Sequence, residues 1–326
     1  MLYYNKLLYY NIFMTNRIQT YLLTLFFLVF SLISSANAEV KVVTSIKPIH
    51  SLVSYIMDGV GKPDVIVDGY NSPHDFSLKP SHAKMLENAD LVIWVGEDLE
   101  SFLEKPLKTI AKKAKIIELM DLKEIKKLEF REKNIFEGHE DHKEHDDHKE
   151  KEGHEDHAHG QHDPHVWLDP NNAKVFIKEI TKQLIKLDSA NSSIYKSNSK
   201  KALAEIDKLI KDIKSNLKKD LRFVVFHDAY QYFENRFGIQ VLGALTVNTD
   251  VMPGAEQLSR IREVIEHEKV NCLFSEPQFN PAIIKSIAKD TNVKTGILDP
   301  LGSELDKGKN LYFNLLKNMS SSFKGC

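Results

Sequence analysis

The sequence contains few cysteines and almost no excess charge. Only two of its 326 residues are cysteine, and the formal net charge is −2. A basic excess and the spacings of zinc-finger, helix-turn-helix or RNP motifs are absent, which argues against a nucleic-acid partner. The motifs H-E-x-x-H and G-x-S-x-G, which mark zinc proteases and serine hydrolases, are absent as well. The sequence therefore predicts a binding protein rather than an enzyme.

The N-terminus predicts a cleaved export signal. Arg17 precedes an apolar run at 20–34, which is followed by Ala36-Asn37-Ala38, a small-x-small site for signal peptidase. We take residues 1–38 as a signal peptide whose true start is Met14. An uncleaved membrane anchor is the alternative, although the run is short for a span of about 20 residues. We expect the mature chain to lie in the periplasm.

The two cysteines, Cys272 and Cys326, both belong to the mature chain. An oxidising compartment favours a disulfide between them. Because such a bridge lowers the entropy of the unfolded chain, it is expected to add roughly 4 kcal/mol of stability. Two free thiols are the alternative, because Cys326 is the last residue of the chain.

Strand-like and helical segments alternate through both halves of the mature chain. Near-continuous apolar runs predict buried parallel strands. These runs lie at 40–46, 64–69, 90–96, 115–119, 222–228, 239–246, 271–277 and 293–299. The pattern predicts an α/β protein of two lobes, each a four-stranded parallel sheet flanked by helices. We expect an N-terminal lobe at 39–168, a long connector helix at 169–188 and a C-terminal lobe at 189–326.

Four residues with metal-binding side chains stand where ligands of such a fold are expected. Ligands of open parallel sheets bind beyond the carboxyl ends of the strands. His74 follows the second strand, and His165 precedes the connector helix. His227 ends the first strand of the second half, and Asp299 ends its last strand. Because two of these residues fall in each half, we expect one ion to bind in a cleft between the lobes.

Three other histidines, His50, His82 and His267, lie within predicted helices. Nothing around them in the sequence indicates a site. We interpret them as ordinary core or surface residues, and we expect His82 to be a surface residue in the first turn of its helix.

Several short motifs occur together along the mature chain. They read SPHDFSLKPSHAKMLENADLVIWVGEDLESFL, HVWLDP, VFHDAYQYFENRFGI, FSEPQF and GILDPLG. In this order and spacing they resemble the cluster A-I solute-binding proteins of ABC transporters, and most closely the periplasmic zinc-binding branch. The resemblance covers essentially the whole mature chain.

The resemblance implies a ligand set and a metal. It makes His74, His165, His227 and Asp299 the ligands of Zn²⁺, since manganese and iron binders usually carry Glu at the position of His227. It also implies a disulfide between the cysteine before F-S-E-P-Q-F and one near the C-terminus, although relatives usually continue beyond the position of Cys326. The implied function is high-affinity zinc delivery by a monomer to an ABC importer, a membrane permease with a cytoplasmic ATPase.

The side-chain chemistry agrees with zinc. Three imidazoles and one carboxylate fit tetrahedral Zn²⁺, whereas Mn²⁺ prefers oxygen, so a manganese- or iron-binding protein of the same family is the alternative. We expect Asp75, Asp228 or Glu276 to orient the rings by accepting their N–H groups. Because a ligating imidazole is neutral, we expect zinc affinity to fall between about pH 7 and 5.

A tract at 137–163 contains eight histidines, eleven acidic residues and three lysines. Such a composition buries too little apolar surface to repay chain ordering, so we expect the tract to be disordered. We expect its histidines to bind divalent cations weakly and to lie outside the main site; they are His139, His142, His145, His148, His154, His157, His159 and His162.

Two function classes besides uptake remain as alternatives, a secreted zinc hydrolase and a metal-storage or adhesive surface protein. Catalytic zinc normally keeps one coordination position open for water. Four protein ligands would leave no such position, which argues against the hydrolase.

Overall fold

The computed structural model describes residues 14, 17, 39–131, 135, 162–217, 221–246, 249 and 253–325. The chain divides into two compact units, Met1–Glu39 and Val40–Cys326, and both sheets belong to the second. Within the described residues no helix is both long and apolar enough to cross a membrane. Most of the expected signal peptide lies outside the described residues and stays a prediction.

The first lobe is a four-stranded parallel sheet with the strand order β2-β1-β3-β4. Its strands are β1 (Val42–Ile46), β2 (Asp64–Val67), β3 (Leu91–Trp94) and β4 (Lys115–Glu118). Its helices are α1 (Lys47–Ile56), α2 (Pro80–Asn88) and α3 (Ser101–Thr109). The central strands β1 and β3 are buried along their whole length, as expected where helices cover both faces of a sheet.

Two long helices follow the first lobe, α4 (Pro170–Leu187) and α5 (Ser192–Asn216). Asp169 caps α4, because its carboxylate accepts a 2.8 Å hydrogen bond from the backbone N–H of Asn171. Pro170 occupies the first helical position, where its missing N–H costs nothing. A long helical connection between the two sheets is confirmed, and α5 packs against α4 and against α1. The assignment of 169–188 alone as the connector stays a prediction.

The second lobe repeats the first, with the strand order β6-β5-β7-β8 and parallel pairing throughout. Its strands are β5 (Arg222–His227), β6 (Gln240–Thr246), β7 (Cys272–Ser275) and β8 (Lys294–Ile297). Its helices are α6 (Gln231–Phe237), α7 (Ala255–His267), α8 (Ala282–Thr291) and α9 (Leu311–Gly325). The predicted fold of two four-stranded parallel sheets is confirmed.

One strand differs from the prediction in its environment. The run at 293–299 forms β8, but Lys294 and Thr295 are exposed and Ile297 is 58% exposed. β8 lies at the edge of its sheet, but so do β2 and β6, which are buried apart from their first residue, so edge position alone does not explain the exposure. An apolar run alone does not distinguish an edge strand from a central one.

One apolar core continues through both lobes and the connector. It includes Val43 of β1, Ile177 of α4, Val225 of β5 and Leu316 of α9. Helix α9 packs against α1 and α5, so the last helix of the chain contacts the first lobe. The two lobes are therefore joined by packed side chains as well as by the connector helices, which favours a stiff arrangement of the strand ends.

Candidate metal centre

Three of the four expected ligands meet at the carboxyl ends of the sheets. His74 lies in the loop after β2, His165 directly precedes a 3₁₀ turn at Val166–Leu168, and His227 is the last residue of β5. One ring nitrogen of each histidine lies within 4.8 Å of those of the other two. The ring centroids are 5.5, 5.2 and 4.9 Å apart.

The three rings can hold one tetrahedral ion after a small movement. Zinc binds imidazole nitrogen at about 2.0–2.1 Å, which places two ligating nitrogens about 3.3 Å apart. The observed nitrogens lie within 4.8 Å of one another. Ring rotations that move each nitrogen by about an ångström would therefore bring them to the spacing that zinc requires. The volume open to the centre of a water molecule between the rings is ≈ 10 Å³. This is about the space that one water molecule needs.

Burial keeps two of the rings in the neutral form that binds metal. Removal from water lowers the pKa of His165 well below its usual value, and His227 adds to the effect. Removal from water also lowers the pKa of His74 well below its usual value, followed by the effects of His227 and His165. The buried Nε2 of His74 has no hydrogen-bond partner among the described residues, so its lone pair is available to an ion.

Asp163 orients His165, and the sequence reasoning missed this contact. Its Oδ1 accepts hydrogen bonds from His165 Nδ1 (2.7 Å) and from the His165 backbone N–H (2.9 Å). A proton on Nδ1 leaves Nε2 for the metal. Asp163 is 2% exposed, and burial raises the pKa of its carboxyl to about 7. The sequence Asp-Pro-His could have indicated this contact, because a carboxylate two residues before a histidine can accept a hydrogen bond from the backbone N–H of that histidine.

Glu276 stands beside His227, directly after the neighbouring strand β7. Its Oε1 lies 3.5 Å from His227 Nδ1, and the two side chains are 2% and 4% exposed. Burial lowers the pKa of His227, but Glu276 and then Asp228 and Asp163 outweigh it and raise the pKa above its usual value. Of the three carboxylates expected to orient the rings, Glu276 is the one in contact with a ligand.

The other two carboxylates take different roles. Asp228 accepts hydrogen bonds from Arg131 on both oxygens, one of them 2.8 Å from Nε. The same guanidinium pairs with Glu234 at 2.8 Å. Asp75 is exposed. Neither Asp75 nor Asp228 hydrogen-bonds a ligand ring within the described part of the chain, so the structure does not support them as orienting residues.

Asp299 does not join the three histidines. Among the described residues, the group that could share an ion consists of the histidines alone. The Asp299 carboxylate accepts hydrogen bonds from the backbone N–H groups of Leu301 (3.1 Å), Gly302 (3.0 Å) and Ser303, and from Gln278 Nε2 (2.9 Å). In this structure the carboxylate closes the turn after β8, and its role as a fourth ligand stays a prediction.

The remaining described histidines outside the tract have structural positions. His50 is 7% exposed, and its Nε2 lies 3.1 Å from the carbonyl oxygen of Pro63. His82 is 9% exposed, and its Nδ1 accepts a 3.2 Å hydrogen bond from the backbone N–H of Lys79. The expectation that His82 is a surface residue is wrong, because the ring caps α2. His267 is exposed at the end of α7.

The tract and the disulfide lie largely outside the described residues. The tract histidines that lie outside the described residues are His139, His142, His145, His148, His154, His157 and His159. His162 is described and pairs with Glu129 in an isolated antiparallel bridge. Asp163 is buried as well, so the last two residues of the expected tract contact the folded lobe. Cys272 is fully buried and Cys326 is not described, so their disulfide stays a prediction.

The two lobes of parallel sheet and the three imidazoles at their strand ends define a two-lobed metal-binding protein. A solved structure titled "Crystal structure of ZnuA" shares the fold with a TM-score of 0.73, over 88% of this chain and 98% of that one, at 24% identity. A Mn-bound periplasmic metal binding protein from candidatus liberibacter asiaticus shares it with a TM-score of 0.70, over 88% and 98%, at 21% identity. These identities support the fold alone.

Curated relatives are closer in sequence. The high-affinity zinc uptake system protein ZnuA of Brucella abortus is 44% identical over 311 residues, covering 90% of this chain and 93% of the relative. The protein of the same name from Yersinia pestis is 40% identical over 293 residues, covering 89% and 92%. The family model for ZnuA, zinc-uptake complex component A, periplasmic, matches residues 42–326. The chain belongs to this family.

Proposed function

We propose that this protein captures Zn²⁺ in the periplasm and delivers it to an ABC importer for zinc uptake. The observation that carries the proposal is the cluster of His74, His165 and His227, whose ring nitrogens lie within 4.8 Å of one another. Membership of the zinc-uptake family supports it. Two of the three rings are held neutral by burial, and neutral imidazole is a good ligand for zinc.

The donor set favours zinc over manganese or iron, the alternative on the same fold. The fold itself does not choose the metal, since a structure titled Mn-bound shares it. Three imidazole nitrogens suit borderline Zn²⁺, whereas harder Mn²⁺ prefers carboxylate and carbonyl oxygen. Within the described residues the cluster contains no carboxylate.

The proposed partners are the membrane permease of the importer and its cytoplasmic ATPase. The leader at 1–38 would export the protein, which would act as a monomer stabilised by the Cys272–Cys326 disulfide. The tract histidines would bind additional zinc weakly and in interchangeable arrangements. These assignments rest on the sequence and on the family.

A zinc hydrolase is not favoured, although a three-histidine site leaves one position open on zinc, as catalytic sites do. The sequence lacks the H-E-x-x-H and G-x-S-x-G motifs of hydrolases, and the family to which the chain belongs is one of zinc-uptake components.

Zinc titration of the exported protein in competition with a chelator tests the proposal. We expect one tight equivalent and several weaker ones, with Mn²⁺ far weaker than Zn²⁺ at the tight site. Deleting 137–161 should remove the weak equivalents and keep the tight one. The deletion stops before His162 and Asp163, because these residues pair with Glu129 and His165. Loss of the tight equivalent, or tighter binding of Mn²⁺, would overturn the proposal.

A further inference from the structure

Gln278 lies in the metal cavity with its amide held in one orientation. Its Nε2 donates hydrogen bonds to Asp299 Oδ1 (2.9 Å) and to Ser303 Oγ (2.7 Å). Both amide hydrogens are therefore used by Asp299 and Ser303. These two hydrogen bonds also fix the carbonyl oxygen Oε1, because it is the other terminus of the same planar amide.

That carbonyl oxygen is buried and without a hydrogen-bond partner among the described residues. Gln278 lines the same cavity as the three histidines, whereas Asp299 does not line it. A buried acceptor left unpaired is unfavourable, because it has lost its hydrogen bonds to water. An acceptor held this firmly at the edge of a small cavity indicates a donor that arrives with the bound ion.

Zinc held by three imidazoles supplies such a donor. Tetrahedral zinc with three protein ligands takes a water molecule at its fourth position. The ion polarises the O–H bonds of that water, which makes it a strong hydrogen-bond donor. Gln278 Oε1 can only accept hydrogen bonds, so it is suited to accept one from this water.

We propose that Gln278 accepts a hydrogen bond from the zinc-bound water and that Asp299 acts on the metal through Gln278. The inference rests on the proposed zinc function. Asp299 is then a positioning residue, which fixes the Gln278 amide and closes the turn at 299–303. Asp299 would then contribute to metal binding without being a ligand.

A double-mutant cycle separates this arrangement from direct ligation by Asp299. Gln278→Ala should lower zinc affinity about 10- to 100-fold, the range expected for an outer hydrogen-bonding partner. Asp299→Asn replaces one of the two acceptor oxygens by an NH2 group, which has to face an N–H donor of the turn or of Gln278, so it should disturb the turn and the Gln278 amide together. We expect a smaller loss for Asp299→Asn alone and almost none when it is added to Gln278→Ala, because both changes break one chain of contacts. Independent losses that add in the double variant would overturn the proposal.

Cobalt substitution gives a readout that a merely structural role would not change. In Gln278→Ala loaded with one equivalent of Co²⁺, we expect a shifted visible spectrum with unchanged stoichiometry, because the bound water has lost its acceptor. The thermal unfolding of the metal-free variant should match that of the parent, and Gln257→Ala, on α7, serves as a control glutamine substitution. An unchanged spectrum and affinity in Gln278→Ala would contradict the inference.

A crystal structure of the zinc-loaded protein provides the direct test. We expect a water molecule on zinc at about 2.0–2.2 Å within hydrogen-bond distance of Gln278 Oε1. An Asp299 oxygen at that position would overturn the inference while leaving the zinc function intact. Zinc bound away from the three rings would instead contradict the proposed function itself.

Discussion

The two lobes have the same strand order but use the ends of their central strands differently. In the first lobe β1 ends at Ile46 and Lys47 follows, whereas in the second β5 ends at His227. Lys47 is 4% exposed, and its Nζ donates 2.9 Å hydrogen bonds to the carbonyl oxygens of Ser303 and Leu305 in the second lobe. One strand end thus joins the lobes, and the other carries one of the three clustered histidines. The fold determines where a site can form, but the side chains at that position determine what the site does.

The strands β3 and β7 occupy equivalent places and show the same contrast. Glu100, after β3, is fully buried, and its Oε2 accepts hydrogen bonds from the backbone N–H groups of Val95 (2.8 Å) and Gly96 (3.2 Å). Glu276, after β7, faces His227 Nδ1 at 3.5 Å. Glu276 directly follows its strand, whereas Glu100 stands further from β3, just before α3. One buried carboxylate thus binds the backbone, and the other faces a proposed ligand. Four substitutions test this division, in order of their expected effect on zinc affinity.

Replacing His227 should have the largest effect. His227→Ala removes a direct ligand, so we expect zinc affinity to fall by more than about 100-fold, beyond the range of outer partners. Chelator competition measures the loss. His267→Ala, which changes an exposed histidine at the end of α7, should leave the affinity unchanged. Equal affinities in both variants would break the contrast between the strand ends.

Replacing Asp163 should weaken zinc binding about 10- to 100-fold, because His165 loses the acceptor that fixes its ring and tautomer. Asp163→Ala and Asp75→Ala form a matched pair, since each carboxylate stands within two residues of a ligand but only Asp163 is buried. Competition titrations should show no loss for Asp75→Ala. A similar loss in both would mean that local charge matters and not the Nδ1 contact.

Replacing Lys47 should change stability more than zinc binding. Lys47→Met keeps the buried stem but leaves the carbonyl oxygens of Ser303 and Leu305 without their donor, which costs about 1–3 kcal/mol of unfolding free energy. Urea unfolding of the metal-free protein measures this loss, with exposed Lys294→Met as the control. We expect a smaller affinity loss than in Asp163→Ala. Abolished zinc binding with unchanged stability would contradict the role assigned to this strand end.

Replacing Glu100 should leave zinc affinity unchanged but alter the pH dependence of stability. Burial raises the pKa of Glu100 from 4.5 to about 7, so the folded state binds its proton more tightly than the unfolded state. The resulting stabilisation is present below pH 4.5 and is lost as pH rises through 7, by about 3 kcal/mol in all. In Glu100→Gln this loss should disappear.

Urea unfolding at pH 5 and pH 8 measures the Glu100 effect. The Glu100→Gln variant should gain stability relative to the parent as the pH rises, whereas Glu87→Gln, on an exposed part of α2, should follow the parent. Parallel pH profiles for all three proteins would show that burial of this carboxylate does not affect folding.

Much of this arrangement could be predicted from the sequence. The strands read as apolar runs, because strands covered on both faces need apolar side chains on both sides. His74, His165 and His227 could be found because parallel sheets bring their carboxyl strand ends to one edge, wherever the residues stand in the chain.

Three features could not be predicted in this way. Asp163 stands beside a polar tract, so composition assigned it to disorder although its partner, His165, lies two residues further on. Asp299 follows a strand, where a metal ligand is expected. Its hydrogen bonds with backbone N–H groups can be seen only in the folded turn. Gln278 has no metal-binding signal of its own, because its position depends on contacts with Asp299 and Ser303.

X-ray absorption at the zinc edge tests the central claim most directly. The exported protein is loaded with one equivalent of zinc, so that the tight site fills before the weaker tract sites. We predict three imidazole nitrogens at about 2.0–2.1 Å from one ion, and two in each of His74→Ala, His165→Ala and His227→Ala. An unchanged spectrum in all three variants would contradict the account, because the tight zinc would then be bound elsewhere.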